Sequence, residues 1–390
     1  MKEEVTRIMR LVKEGKISPE DAAELVEAFV DSPDDPVPPT EDPGAKADDP
    51  FAKLISGIEK LSRDVGANVN WQDIAGQVRV GVSKGVESLR QAAEEARKSG
   101  RFAVVFGTSA NHRVEMPVRL TAGQTLRIEG GSGSVRVFGG VSEPKMVFDV
   151  AYRALDEAEA AQLAKGFVPV VEEGDGHVRY RGPDGPNVRV DVEAHVPSGT
   201  VVEVASASGD VDLTATLAGC RIQTVSGDVT LTGVAGTVDV SVGSGDLTVR
   251  HADVSLLNAD SRSGDVTFEE VSGALNLKSS SGDVRFVKCR CQSLAVELAS
   301  GDVSVDLVEP VSGTVSVRTV SGDVTVGVSD GSDCRVSLSS LSGSVATRVA
   351  LDDFVEEGQL ITGRMGAGSG SLDLSAVRGS VLLEYRDSTA

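Results

Sequence analysis

The sequence predicts a mainly β fold: a two-sided parallel β-solenoid with ~18-residue coils, preceded by a small helical hairpin and a helical segment. Three observations predict it. Ser-Gly-Asp recurs with its glycines at 209, 227, 245, 264, 282, 301 and 322, spaced 18, 18, 19, 18, 19 and 21 residues apart. An alternating apolar pair follows every one of these aspartates, from Val211/Leu213 to Val324/Val326. Composition agrees: 43 of 390 residues are Gly and only 4% are aromatic, as expected of a turn-rich, Val-rich β chain.

The coil shape follows from a sub-period. Between the motifs stands a second alternating pair, as in Val238/Val240, Leu275/Leu277, Leu294/Val296, Val315/Val317 and Val336/Leu338. This halves the repeat to about nine residues, roughly five of strand and four of turn. Two such halves close a flattened coil, and coils stack at about 4.8 Å. A three-sided coil would need a sub-period nearer six. The motif glycines should then form one column, with Val266 between Leu247 and Val284. The residues between the inward pairs (Asp212, Thr230, Thr248, Thr267, Arg285, Ser304 and Thr325) should face solvent. Degenerate motif copies follow at Ser342-Gly343-Ser344 and Ser369-Gly370-Ser371. Residues 350–365, with Asp352, Asp353, Glu356 and Glu357, read as a break or charged cover at the far end.

Upstream, residues 1–31 read as a helical hairpin. Val5, Ile8, Met9, Leu11 and Val12 recur at helical spacing, and Gly15 ends that helix. Ser18 then caps a second helix with Pro19 at its first position. Such a hairpin buries too little surface to stand alone, so it should dock. Residues 32–50 hold six prolines and six acidic residues and read as an extended linker. Residues 51–99 return to helical spacing, with one face from Phe51 to Val65 and another from Ile74 to Ala96. The solenoid repeat domain is set at 101–390. Its first hundred residues read as irregular β, with a helical insert over 155–165.

Charge narrows the partners. The chain has 38 basic and 59 acidic residues, net -21. Nucleic acid is not an expected partner, because phosphate contacts need basic patches. The hairpin could mimic a helix-turn-helix, yet it holds five basic against eight acidic residues, and its second helix lacks Lys and Arg. A protein partner is expected through 1–31 and 51–99; peripheral membrane association and self-association stay open. Glu3 and Glu4 stand where a signal peptide carries positive charge, and no apolar span of ~20 residues exists. The cytoplasm is therefore the expected compartment, with membrane association open.

These residues resemble a known group. The run Val188–Val211 and the SGDVTL-type repeats after it resemble the bacterial putative-adhesin β-repeat family. The opening KEEVTRIMRLVKEGKISPEDAAELVEA resembles the N-terminal helical domain of its LiaX/YvlB-type members. The resemblance covers 1–31 and roughly 110–385. It implies a β-solenoid without established catalytic residues, tied in some members to cell-envelope stress signalling.

No catalytic residues and no cofactor are expected. The four histidines and four cysteines show no nucleophile or zinc spacing. Cys289 and Cys291 form a CxC; Cys220 is expected about four coils earlier and Cys334 about two coils later, beyond disulfide reach. Few aromatics argue against a sugar-cleaving groove. One constellation could bind an ion: the ladder Asp210, Asp228, Asp246, Asp265, Asp283, Asp302 and Asp323. Calcium β-rolls relieve such stacked charge with Ca²⁺, but their GGxGxD signature is missing here. The competing reading makes these aspartates caps for backbone N–H groups in the turns. The functional expectation is a non-enzymatic scaffold or interaction protein with an acidic surface, linked to the envelope stress response; the alternative is an adhesin-like carbohydrate- or calcium-binding module.

Overall fold

The computed structural model of the chain describes residues 107–386, apart from 175, 184 and 215–217. The helical expectations for 1–31 and 51–99, and the linker at 32–50, lie outside the described residues. Two compact units divide the chain. Of the first, only 107–110 and 152–162 are described; the second comprises 111–151 and 163–390. The helical insert forms as Glu157–Lys165, with Glu157 and Glu159 in its first turn and Lys165 in its last, as the helix dipole favours.

The described residues are mainly β, with 26 strands and one helix, and the strands build a solenoid-like array. In the middle of the second unit the chain alternates between two ladders. One ladder takes four-residue strands such as Val211–Thr214, Val229–Thr232, Leu247–Arg250 and Val266–Glu269. The other takes longer strands such as Gly219–Ser226, Ala235–Val242 and Asp253–Ser261. The halves are thus unequal, not five residues each. Both ladders run parallel, one coil to the next. Val229 pairs with Leu247 in one, and Val238 with Leu257 in the other. Val266 sits between Leu247 and Val284, as the spacing predicts.

Alternation fixes the interior. Every inward pair from Val211/Leu213 to Val324/Val326 is buried. Each such side chain stabilises the fold by roughly 1.5–3 kcal/mol relative to exposure. Phe268 and Phe286 occupy one column on adjacent coils and stack with centroids 4.7 Å apart.

The motif glycines stack in a column. Their φ angles run from 116° to 140°, which side chains rarely adopt. A Cβ on Gly245 would also overlap the carbonyl oxygen of Gly227. The column continues beyond the motif in both directions. Gly133 lies next to Gly209 at one end, and Gly379 follows Gly322 at the other. Gly343 comes after Gly379.

That order departs from the sequence expectation at both ends. The coil made of Thr125–Ser132 and Val135–Gly139 is regular, not irregular β. It lies between strands that follow it in the chain: Thr125–Ser132 pairs with both His177–Arg181 and Val201–Ser208. At the far end, Gly370–Arg378 pairs on one side with Thr314–Ser321 and on the other with Cys334–Ser342. Val381–Tyr385 likewise separates Val324–Val328 from Val345–Thr347. So Gly370 does not carry a motif copy; it opens a long strand beside Gly313, and Gly379 takes the motif place. Counted along the long-strand ladder, Cys334 consequently stands three rows from the strand that carries Cys291, not two.

The long-strand ladder ends in antiparallel hairpins on both sides. Val170–Gly174 folds back on His177–Arg181. Asp352–Glu357 folds back on Leu360–Met365, which itself runs antiparallel to Cys334–Ser342. The charged cover expected over 350–365 is this second hairpin.

Candidate functional site

Two neighbouring features run along the array where each long strand meets its motif turn. The first is the aspartate ladder. Each Asp accepts, through Oδ1, a hydrogen bond from the backbone N–H of the next Asp in the column. The links from Asp210 to Asp228, Asp228 to Asp246 and Asp246 to Asp265 measure 3.1, 2.9 and 2.8 Å. Those through Asp283, Asp302 and Asp323 measure 2.9, 3.0 and 2.8 Å. Asp323 passes the contact on to the Ser380 N–H at 2.7 Å. The carboxylates therefore bridge between coils rather than capping their own turns. Local motif logic anticipated an acceptor but not its direction, because the donor lies a full coil away in sequence. Among the described residues no group of three or more His, Cys, Asp or Glu side chains is arranged to hold a metal.

The second feature was not anticipated. An open groove of about 840 Å³ follows the ends of the long strands from Thr224 to Val377. Its floor is one inward column in register: Thr224, Val242, Ser261, Ser279, Leu298 and Thr319. The hydroxyls here are buried. Thr224 donates to the Ser226 carbonyl, while Ser261 Oγ has no hydrogen-bond partner among the described residues. A buried hydroxyl without a partner costs roughly 1–3 kcal/mol.

The next residue on each strand projects to the rim. Val225, Val320 and Val377 stand exposed there at 69%, 48% and 41%. One column back, Asp260, Lys278, Glu297 and Arg318 follow one another on adjacent strands with alternating sign. Lys278 and Glu297 pair at 3.2 Å; Arg262 and Arg318 have no ion-pair partner among the described residues. The rim is thus apolar only at its two ends, with Gly243, Arg262, Ser280 and Ala299 between them, and alternating charge runs beside it. The signal was present in sequence as the residue two before each motif glycine from Gly227 to Gly322. It was hard to see because that column reads Val, Gly, Arg, Ser, Ala, Val rather than one residue type.

The cysteines make no joint site. Burial pushes the Cys220 thiol up to about 12 and Cys334 up to about 11, so both stay protonated. Cys289 is buried, and its hydrogen bond with Cys291 lowers its own pKa and raises that of Cys291.

Comparison with known proteins gives the following. The model of the Toastrack DUF4097 family matches residues 186–384, and that of a SHOCT-like domain matches residues 3–33. Solved structures similar to the chain include a putative cell adhesion protein from Clostridium sporogenes, 14% identical, covering 71% of this chain and 100% of that one, with a TM-score of 0.20. They also include a putative adhesin from Parabacteroides distasonis, 12% identical over 71% of this chain and 97% of that one, TM-score 0.36. A putative adhesin from Parabacteroides merdae is 12% identical over 71% and 96%, TM-score 0.36. No curated protein matches the chain. No helix among the described residues is long and apolar enough to cross a membrane.

Proposed function

The chain belongs to the Toastrack DUF4097 family, and from that we propose that it is a non-enzymatic interaction scaffold whose groove receives a protein partner. One observation carries this reading. The inward columns are spent on the core, while the rim exposes Val225 at one end of the groove and the neighbouring Val320 and Val377 at the other, beside the alternating charges of Asp260, Lys278, Glu297 and Arg318. Scattered exposed apolar residues need no explanation, but apolar residues at both ends of a charge-lined groove do.

In this reading the two ladders are the sides of a flattened parallel coil, which the burial of alternate residues in both supports. The solenoid domain, 101–390, carries 24 basic and 39 acidic residues, a net of -15 from those counts, and presents an acidic surface. The hairpin at 1–31 and the segment at 51–99 bring a second protein contact across the linker at 32–50. The SHOCT-like match at 3–33 supports a separate module there. The LiaX/YvlB-type resemblance of this module supports a role in the envelope stress response.

The test uses the intact chain as bait against an extract of its source cells. Val225→Asp, Val320→Asp and Val377→Asp together should abolish capture of at least one specific protein while leaving the melting temperature unchanged. Retention of every captured protein would remove the groove from the reading.

The aspartates act as coil-to-coil acceptors in this scaffold. Calcium is then dispensable, and melting should be the same in chelator and in millimolar Ca²⁺. Ion binding to the folded state alone would instead stabilise it by about 2.7 kcal/mol at a hundred times Kd. A large calcium-dependent rise, lost in Asp246→Asn, Asp265→Asn and Asp283→Asn combined, would favour the calcium module.

A further inference from the structure

The long-strand ladder ends on the strand Asp352–Glu357, which pairs on one side with Leu360–Met365 and has no strand on its other side among the described residues. It is the one described strand in which every residue is exposed. Its neighbour is firmly held: Ile361 and Met365 are buried, and six residue pairs join it to Cys334–Ser342. The outer strand is therefore a fixed edge that gives nothing to the core. Yet it carries Phe354 and Val355, exposed at 49% and 47%, with the exposed Leu360 on the strand beside it. An unpaired edge with apolar side chains is a template for another strand.

The charges decide which strand. Asp352, Asp353, Glu356 and Glu357 lie within six residues. Arg364 engages Asp353 at 3.0 Å; Asp352, Glu356 and Glu357 have no ion-pair partner among the described residues. A second copy pairing antiparallel through this edge would set Asp352 against Glu357 and Asp353 against Glu356. Like charges directly opposite are destabilising, so the edge repels its own kind. A strand with Lys or Arg at alternate positions would instead set two of every three cations against carboxylates, in either register, and the third against Phe354 or Val355. The register irregularity between Asp352 and Val355, with Asp353 at a φ of 51°, keeps the adjacent Phe354 and Val355 both exposed, so the edge offers apolar contacts as well.

We propose that the edge strand Asp352–Glu357 is a docking site for an extended segment of a partner protein that alternates basic and apolar residues, added to the sheet as one more strand. This proposal does not rest on the groove, which lies along other strand ends.

The experiment uses the intact chain and a labelled Lys-Val-Lys-Val-Lys-Val peptide, with its Glu-Val counterpart, read by fluorescence anisotropy. The Lys peptide should bind, and the Glu peptide should not. Asp352→Lys, Glu356→Lys and Glu357→Lys combined should weaken the Lys peptide by roughly tenfold or more and admit the Glu peptide. Reversing the charge of Glu143, Glu159 and Glu309, which are exposed elsewhere, should leave both affinities unchanged. N-methylation of alternate peptide nitrogens should abolish binding, because strand addition needs those donors. Equal loss in the two charge-reversed variants would reduce the effect to general attraction by an acidic protein and overturn the proposal. So would absence of Lys-peptide binding, indifference to N-methylation, or a concentration-dependent dimer that the edge variant dissolves.

Discussion

The central coils, from Gly209 to Gly322, and the two ends of the array are built on the same side-chain rules but on different chain orders. In the centre each coil lies against the coils before and after it in sequence, up to the Gly209 and Gly322 coils, whose outer neighbours are the inserted 125–139 and 370–385. At the ends the chain leaves a gap and fills it from elsewhere: 125–139 enters between later strands, and 370–385 enters between earlier ones. The difference teaches that repetition alone specifies a stack with open faces. Closing such a stack takes strands that break the order, plus hairpins that turn antiparallel over the last row.

The largest expected effect tests the inserted coil against the hairpin. Ending the chain at Ser369 removes the strands that join 314–328 to 334–347. Hydrogen exchange should show residues 334–365 unprotected while the Gly209 to Gly282 coils keep their protection. Replacing only 352–357 with a short Gly-Ser loop should leave protection of 334–342 in place. Equal loss in both variants would make the hairpin, not the inserted coil, the stabilising element.

Glycine substitutions separate the regions next. Gly245→Ala forces a Cβ onto the Gly227 carbonyl at a φ of 129°, and should cost about 3 kcal/mol. Gly358→Ala, at a φ of 62° in the hairpin turn with nothing within 4 Å, should cost only about 1 kcal/mol. Chemical denaturation of the two variants measures the difference, and equal costs would contradict the close stacking of the column.

A smaller effect lies at the opposite corner of the central coils. His251, Glu270 and Lys288 hold positive φ angles of 51°, 53° and 54°, in the column that Gly233 begins at 69°. Lys288→Gly should relieve this strain and stabilise by roughly 0.5 kcal/mol, after the extra entropy that Gly gives the unfolded chain. A clear destabilisation would mean that the side chain matters more than its backbone.

The smallest effect is a pH slope. The hydrogen bond from Asn258 lowers the Asp239 pKa, desolvation opposes it, and Arg221 lowers it further. A depressed carboxyl stabilises the fold above its unfolded pKa of about 4 and loses that contribution as pH falls through the folded value. Asp239→Asn should therefore flatten the acid side of the stability curve slightly. An unchanged slope would leave Asp239 without a role in acid sensitivity.

Much of the centre was legible in the sequence. Ser-Gly-Asp repeats because three needs coincide at one turn: a positive φ at Gly, no room for a Cβ, and a carboxylate for the next coil's N–H. Alternation then names the core, including Val266 and its two neighbours. The ends were not legible for a physical reason. Gly133, Gly343 and Gly379 meet the same steric need, but the Asp is replaced by Ser in each, and their order in space is not their order in the chain. Ser369-Gly370-Ser371 shows the converse, a motif-like triplet serving a different turn. The groove was missed because its rim depends on position, not on residue type. Its exposed valines look in sequence like any others in a Val-rich chain.

The inserted far-end coil also sets a timetable. A growing chain emerges with residues 334–347 well before 370–385. The central coils can each settle on the coil already made, one after another, while synthesis continues. Residues 334–347 cannot take their final place that way, since the strands they lie against do not yet exist. If they settle early on 314–328, they occupy the slot that belongs to 370–385 and must be displaced. The far end is thus completed by the latest strands of the array, and the seam they fill records the direction in which the protein is made.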